Sequence, residues 1–199
     1  MNTKLLRFIA ILAIAGFVFM TCKNSANSDG DYKIGDTGPG GGKVFYDKGS
    51  VSNGWRYLEA APINQGTKIT WCTCTGSPWC NVDTVYTENA IGTGKANTDA
   101  IIAAHSGDTA SNNAAKAAVA YTGGGKDDWF LPSIKELIEM HINRSSLGIS
   151  SGEFLSSTES QRSNVWTLDF GSNVDYDIGW DEVGKDTKLD VCVRAVRAF

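Results

Sequence analysis

The chain has 199 residues, 42% of them hydrophobic and 20% charged, with a formal net charge of −4. That is enough apolar chain to bury a real core as one domain of ordinary size. No run of basic residues exists to neutralise phosphates, which argues against nucleic acid, and a sulfated polysaccharide would need a local basic patch that is absent.

Lys4 and Arg7 precede an uncharged apolar stretch from Phe8 to Met20, and Cys22 follows almost at once. Such a stretch is short of the ~20 residues that span a bilayer, so residues 1–21 read as a cleaved signal peptide. The position of Cys22 marks it as the lipidated first residue of a bacterial lipoprotein, exported and anchored at the outer membrane or cell surface. Cleavage removes two basic and no acidic residues, leaving 16 Lys plus Arg against 22 Asp plus Glu, a net charge of −6. Residues 22–33 carry little to bury and read as a polar tether, with the domain over 34–199.

Within the domain, Ile34 to Gly42 reads as a turn, because the glycines keep no sustained triplet period. Lys43 to Asp47 and Trp55 to Ala60 alternate as two strands of a hairpin, with the turn over Gly49 to Gly54. Alanine-rich segments at Thr98–His105 and Asn112–Tyr121 read as helices broken by Ser106-Gly107-Asp108 and stopped at Gly123. Pro132-Ser133 followed by Glu136 forms a capping box, so a third helix begins at Ser133. Its apolar face is Ile134, Leu137, Ile138 and His141, with Lys135, Glu136 and Glu139 expected in water. Strands return at Phe154-Leu155 and Val165 to Phe170, and in a last stretch where Leu189, Val191 and Val193 share a face. This order predicts an α+β fold with antiparallel sheets and two or three short helices.

The run Asp127-Asp128-Trp129-Phe130-Leu131-Pro132-Ser133-Ile134-Lys135-Glu136-Leu137 carries a family signature together with four other blocks. These are Ile91 to Thr98, Phe154 to Glu159, Val165-Trp166 and the closing Val193 to Phe199. In this order, over roughly Asp36 to Phe199, they resemble the DUF1566 family, also called the Lcl C-terminal domain. The resemblance implies a C-type-lectin-like fold, usually displayed outside the cell, whose first and last strands pair. It implies no reaction.

Cys72, Cys74, Cys80 and Cys192 remain once Cys22 is assigned, and an even number in an exported protein points to disulfides. Three pairings are open; Cys74 with Cys80 across Gly76-Ser77-Pro78, and Cys72 with Cys192, is the expected one. A zinc or copper site is the alternative, disfavoured because no histidine lies near the clustered sulfurs. His105 and His141 are the chain's two histidines; His141 falls on an apolar helix face and reads as packed. Ser156 and Ser157 lie in no nucleophile-elbow pattern. Formylglycine-generating enzymes are distant relatives of lectin-like domains, but their paired reactive cysteines are missing, so no catalytic residue is expected.

Asn173, Asp175 and Asp177 alternate and could converge on calcium, although the same spacing is what a solvated strand face gives. No cofactor is otherwise implied. Tyr176 and Trp180 lie among Asp175, Asp177 and Asp181, and aromatic faces beside carboxylates are what a sugar-binding surface uses. The polar stretch from Gln161 to Lys188 is therefore where a ligand is expected. The resulting expectation is a non-catalytic surface lipoprotein binding an extracellular glycan or host matrix component. The alternative is an envelope-assembly lipoprotein that binds a protein or peptidoglycan.

Overall fold

The alternating segments at the start of the domain close into a hairpin of β1 (Lys43–Ser52) and β2 (Trp55–Ala60). The computed structural model describes residues 30–73, 85–161, 163–171, 180–185 and 190–199, with Trp180 and Asp181 described by backbone alone. The hairpin turn is tighter than the expected Gly49 to Gly54. Asn53 and Gly54, at φ 52° and 81°, form a two-residue turn with both residues left-handed, whose twist matches that of the flanking strands. Gly49, at φ 86°, marks an irregularity inside β1, where the register shifts between Asp47 and Ser52.

Ten further elements follow: β3 (Gly66–Thr67), α1 (Gly94–Ala104), α2 (Ala114–Val119), a 3-10 turn at Gly123–Gly125, α3 (Ile134–Ile142), β4 (Glu153–Gln161), β5 (Asn164–Asp169), β6 (Trp180–Gly184), β7 (Val191–Val193) and β8 (Val196–Ala198). The fold is α+β, with two sheets in the orders β1-β2-β8 and β3-β7-β4-β5-β6 and three short helices. All neighbours run antiparallel except β4 and β7.

The chain's last strand pairs with the hairpin's return strand β2, and not with β1. Phe199 is held there by three backbone bonds: its carbonyl accepts from Arg56 and Tyr57 at 2.8 and 2.9 Å, and its N–H donates to Tyr57. Tyr32 packs edge-on against Tyr57 and Phe199, so the compact unit begins at Asp31, inside the stretch expected to be tether.

Both faces of the five-stranded sheet are covered. On one side Leu155, Val165, Val183 and Val193 pack with Ile101 of α1, the alanines of α2, Trp71 and Trp129. On the other, Phe154, Leu168 and Phe170 pack with Ile134, Leu137 and Met140 of α3 and with Phe45 and Leu58 of the hairpin. The signature run threads between the two. Alternation along an extended segment sends Trp129 and Leu131 into the first core and Phe130 into the second. Phe130 also exchanges two backbone hydrogen bonds with Val196, at 2.9 Å each.

The third helix starts as its sequence predicts: Ser133 caps it, and the reciprocal Glu136 bond completes the capping box. Glu136 itself corrects the expectation, because it is fully buried and not in water. Its carboxylate is roofed by the loop before α1, where Gly92 donates to Oε1 at 2.8 Å. That loop also lets α1 begin at Gly94, ahead of the expected Thr98. A side chain at Gly94 would collide with Glu136 and Phe130.

Candidate functional site

Blocks of the signature that lie far apart in sequence meet at one concavity. A pocket of about 250 Å³ is lined by Trp55, Gly92, Lys95, Asp128, Phe130 and Ala198. Gly92 and Lys95 come from the Ile91–Thr98 block, Asp128 and Phe130 from the Asp127–Leu137 run, and Ala198 from the closing block; Trp55 is added by the hairpin.

Each wall has a local cause. The Asn53-Gly54 turn places Trp55 at the start of β2, with the Lys48 ammonium 3.6 Å from its ring centroid. Gly92, at φ 91°, lies so close to the indole that an added Cβ would stand 2.9 Å from it. Lys95 projects from the first turn of α1 and pairs with Asp99 one turn on, at 2.6 Å. Asp128 pairs with Arg197, whose other guanidinium nitrogen reaches the buried carboxylate of Glu59 at 2.9 Å. The lining therefore combines the apolar Phe130 and Ala198, the Trp55 indole, the Lys95 ammonium and the Asp128 carboxylate, with the Lys48 ammonium against the indole.

Behind Gly92 lies Glu136. Burial, outweighing the N–H donors of Ser133, Gly92 and Gly94, pushes its carboxyl up to about 7 from an ordinary 4.5. A folded-state value above the unfolded one means that the native protein holds the proton more tightly. The associated stability is fully present below about 4.5 and is lost as the pH rises through about 7. Replacing Glu136 by Gln should flatten that loss. Urea-unfolding midpoints at pH 5 and pH 8 check this: the wild type should fall more between them than Glu136→Gln, and parallel profiles would refute it.

The structure treats the sequence-predicted residues unevenly. Cys22, Cys74, Cys80, Asn173, Asp175, Tyr176 and Asp177 lie outside the described residues. Trp180 and Asp181 are placed by backbone on β6, opposite Leu168 and Thr167. Cys72 and Cys192 do not form the expected bond with each other. Cys72 is buried in the core on the α1 and α2 side, whereas Cys192, paired beside Phe154 at the β4–β7 step, packs against the opposite core. Burial pushes the Cys192 thiol up, away from the reactive thiolate.

His141 is packed as expected, 3% exposed and edge-on to Phe170 at 5.2 Å. His105 is buried against Trp71, and that burial pushes its imidazole below the ordinary value, toward the neutral form. Trp129 and Phe154 are core, and Trp166 is half-buried on β5. Among the described residues no group of three or more metal-ligating side chains converges.

Sequence reading gives no warning of buried charge at Glu136 or at the Lys185–Glu159 pair, and passes over Glu59. For Glu59 a signal existed, since an acidic residue in an apolar strand faces an arginine in the closing strand, and the register pairs Glu59 with Arg197. Lys185 had none, lying in a polar stretch that reads as solvated. No family model and no curated protein matches the chain.

Proposed function

We propose that this chain is a non-catalytic lipoprotein, exported and anchored through Cys22 at the outer membrane or cell surface. Its domain, of C-type-lectin-like type, binds an extracellular ligand, a glycan or matrix component, in an adhesive role. The observation that carries this reading is the convergence of separate signature blocks on one pocket whose wall is aromatic and whose rim holds a donor and an acceptor. Such a lining supports a recognition role. Among the described residues the charged groups lining the pocket are Lys95 and Asp128, each held by an ion-pair partner, an arrangement suited to binding.

The two ends of the domain lie in one sheet, with β8 beside β2 and one strand away from β1, which brings the termini together although the first and last strands do not pair directly. The short apolar leader ending at Cys22 supports export and anchoring. Among the described residues no helix is long and apolar enough to cross a membrane. The resemblance to DUF1566 stands on the quoted residues alone.

Two measurements test the proposal. Protease added to intact cells should cleave the domain, and the purified mature protein should bind members of a glycan or matrix-protein array. A domain shielded until the envelope is opened, with no array binding, would transfer the reading to an envelope-assembly role.

A further inference from the structure

We infer that the pocket between the β1–β2 hairpin, the start of α1 and β8 takes a single neutral pyranose ring, the terminal residue of a glycan. The inference rests on the binding role proposed above and names the ligand class and the site.

Size comes first. At about 250 Å³ the pocket is just under the ~300 Å³ at which sites for drug-sized ligands begin. That volume suits one six-membered sugar ring and leaves the rest of an oligosaccharide in solvent.

The lining selects among rings. The half-buried Trp55 indole offers a surface for the C–H face of a pyranose, with Ala198 and the largely buried Phe130 also lining the pocket. The electron-rich face of that indole already attracts a positive partner, with Lys48 held 3.6 Å from the ring centroid. Sugar C–H groups carry the same sign of partial charge and suit an aromatic face of this kind.

The rim then decides against charged ligands. Lys95 and Asp128 are half-exposed and each keeps an opposite charge beside it, Asp99 for the lysine and Arg197 for the carboxylate. An anion entering beside Lys95 meets Asp99 and Asp128, and a cation beside Asp128 meets Arg197 and Lys95. Hydroxyl groups suit both, donating to Asp128 and accepting from Lys95. The chain's net charge of −4 also works against an acidic sugar.

The geometry differs from the one expected from sequence, where the ligand lay between Gln161 and Lys188. A test must separate the two places. The mature full-length chain, labelled with nitrogen-15, is titrated with methyl β-D-galactopyranoside, methyl α-D-glucopyranoside, methyl α-D-mannopyranoside and glucuronic acid. The Trp55 indole N–H signal is identified by its disappearance in Trp55→Phe.

At least one neutral glycoside should move that signal together with the Gly92 and Ala198 amides. Lys95→Met, a change at a half-exposed side chain, should weaken binding by about fivefold or more while leaving the fold's spectrum intact. Tighter binding of glucuronic acid would overturn the neutral class. Shifts confined to β5 and β6 would overturn this site but keep the binding role. No response to any sugar, with no array binding, would overturn both.

Discussion

Replacing Lys185 by Met is expected to destabilise the protein by ~3–5 kcal/mol, the range for breaking one side of a buried ion pair. The Lys185 side chain is 0% exposed and that of Glu159 is 5% exposed. The ammonium donates to Glu159 Oε1 and lies 4.7 Å from the centroid of the Trp71 ring. Glu159 also accepts the amides of Val85 and Tyr86 at 3.0 and 3.1 Å, and the Lys185 carbonyl accepts those of Trp71 and Cys72.

The pair and the Lys185 backbone therefore tie two separate segments, at Val85-Tyr86 and Trp71-Cys72, to β4 and to the end of β6 in the large sheet. Removing the lysine leaves a buried carboxylate facing the amide dipoles of Val85 and Tyr86, in a medium where an uncompensated charge is costly. Adding Glu159→Gln to Lys185→Met removes that charge, and should restore a substantial part of the loss. A double-mutant cycle of urea-unfolding free energies checks both statements. A single-variant cost under ~1 kcal/mol would mean that the pair behaves as a solvated surface bridge.

The same pair shows where sequence reasoning stops. Lys185 follows Gly184 and precedes Asp186-Thr187-Lys188, a context in which a lysine is read as wet. Its burial is made by Glu159, Trp71 and the chain at Val85, all distant in sequence. Local signals transferred well: the Ser133 capping box needs only residues 133–136, and the alternation of Trp129, Phe130 and Leu131 needs only an extended backbone.

Signals that depend on a distant roof did not transfer. Helical position alone puts Glu136 in water, and the Gly92 loop, 44 residues earlier, buries it. Lys95, Asp128 and Ala198 are legible as parts of a signature but not as a site, because they share no segment with one another or with Trp55, which lies outside the signature. The hairpin turn was misplaced for a different reason. Gly49 looked like the turn's opening, whereas β1 absorbs it as an irregularity and carries on to Asn53-Gly54.

A second large effect is expected at Glu59, where Glu59→Ala should cost ~3–5 kcal/mol. This carboxylate is fully buried and organises the glycine-rich turn that precedes β1. Gly40 donates to both of its oxygens at 2.9 and 3.2 Å, and Gly42 donates to Oε2 at 3.0 Å. Arg197 supplies the opposite charge at 2.9 Å.

The glycines are there because the backbone wraps the carboxylate closely. A Cβ at Gly40 would lie 2.7 Å from both Glu59 and Trp129, and one at Gly42 would lie 2.5 Å from the Ala60 carbonyl. Truncating Glu59 strands two buried amides and leaves the guanidinium with Asp128 as its carboxylate, which is why the expected cost exceeds that of a methylene cavity. Glu59→Gln should be milder, at about 1–3 kcal/mol, because one oxygen still accepts an amide while the new NH₂ faces donors.

Gly40→Ala should act through the same contact from the opposite side, so its effect and that of Glu59→Gln should be less than additive. Thermal or urea unfolding of the three variants and the double variant decides this. Additive losses would separate the glycine turn from the carboxylate. Because Arg197 joins Glu59 to Asp128 at the pocket rim, Glu59→Gln should also weaken pyranoside binding under conditions where the protein remains folded, connecting a buried charge to the surface that receives the ligand.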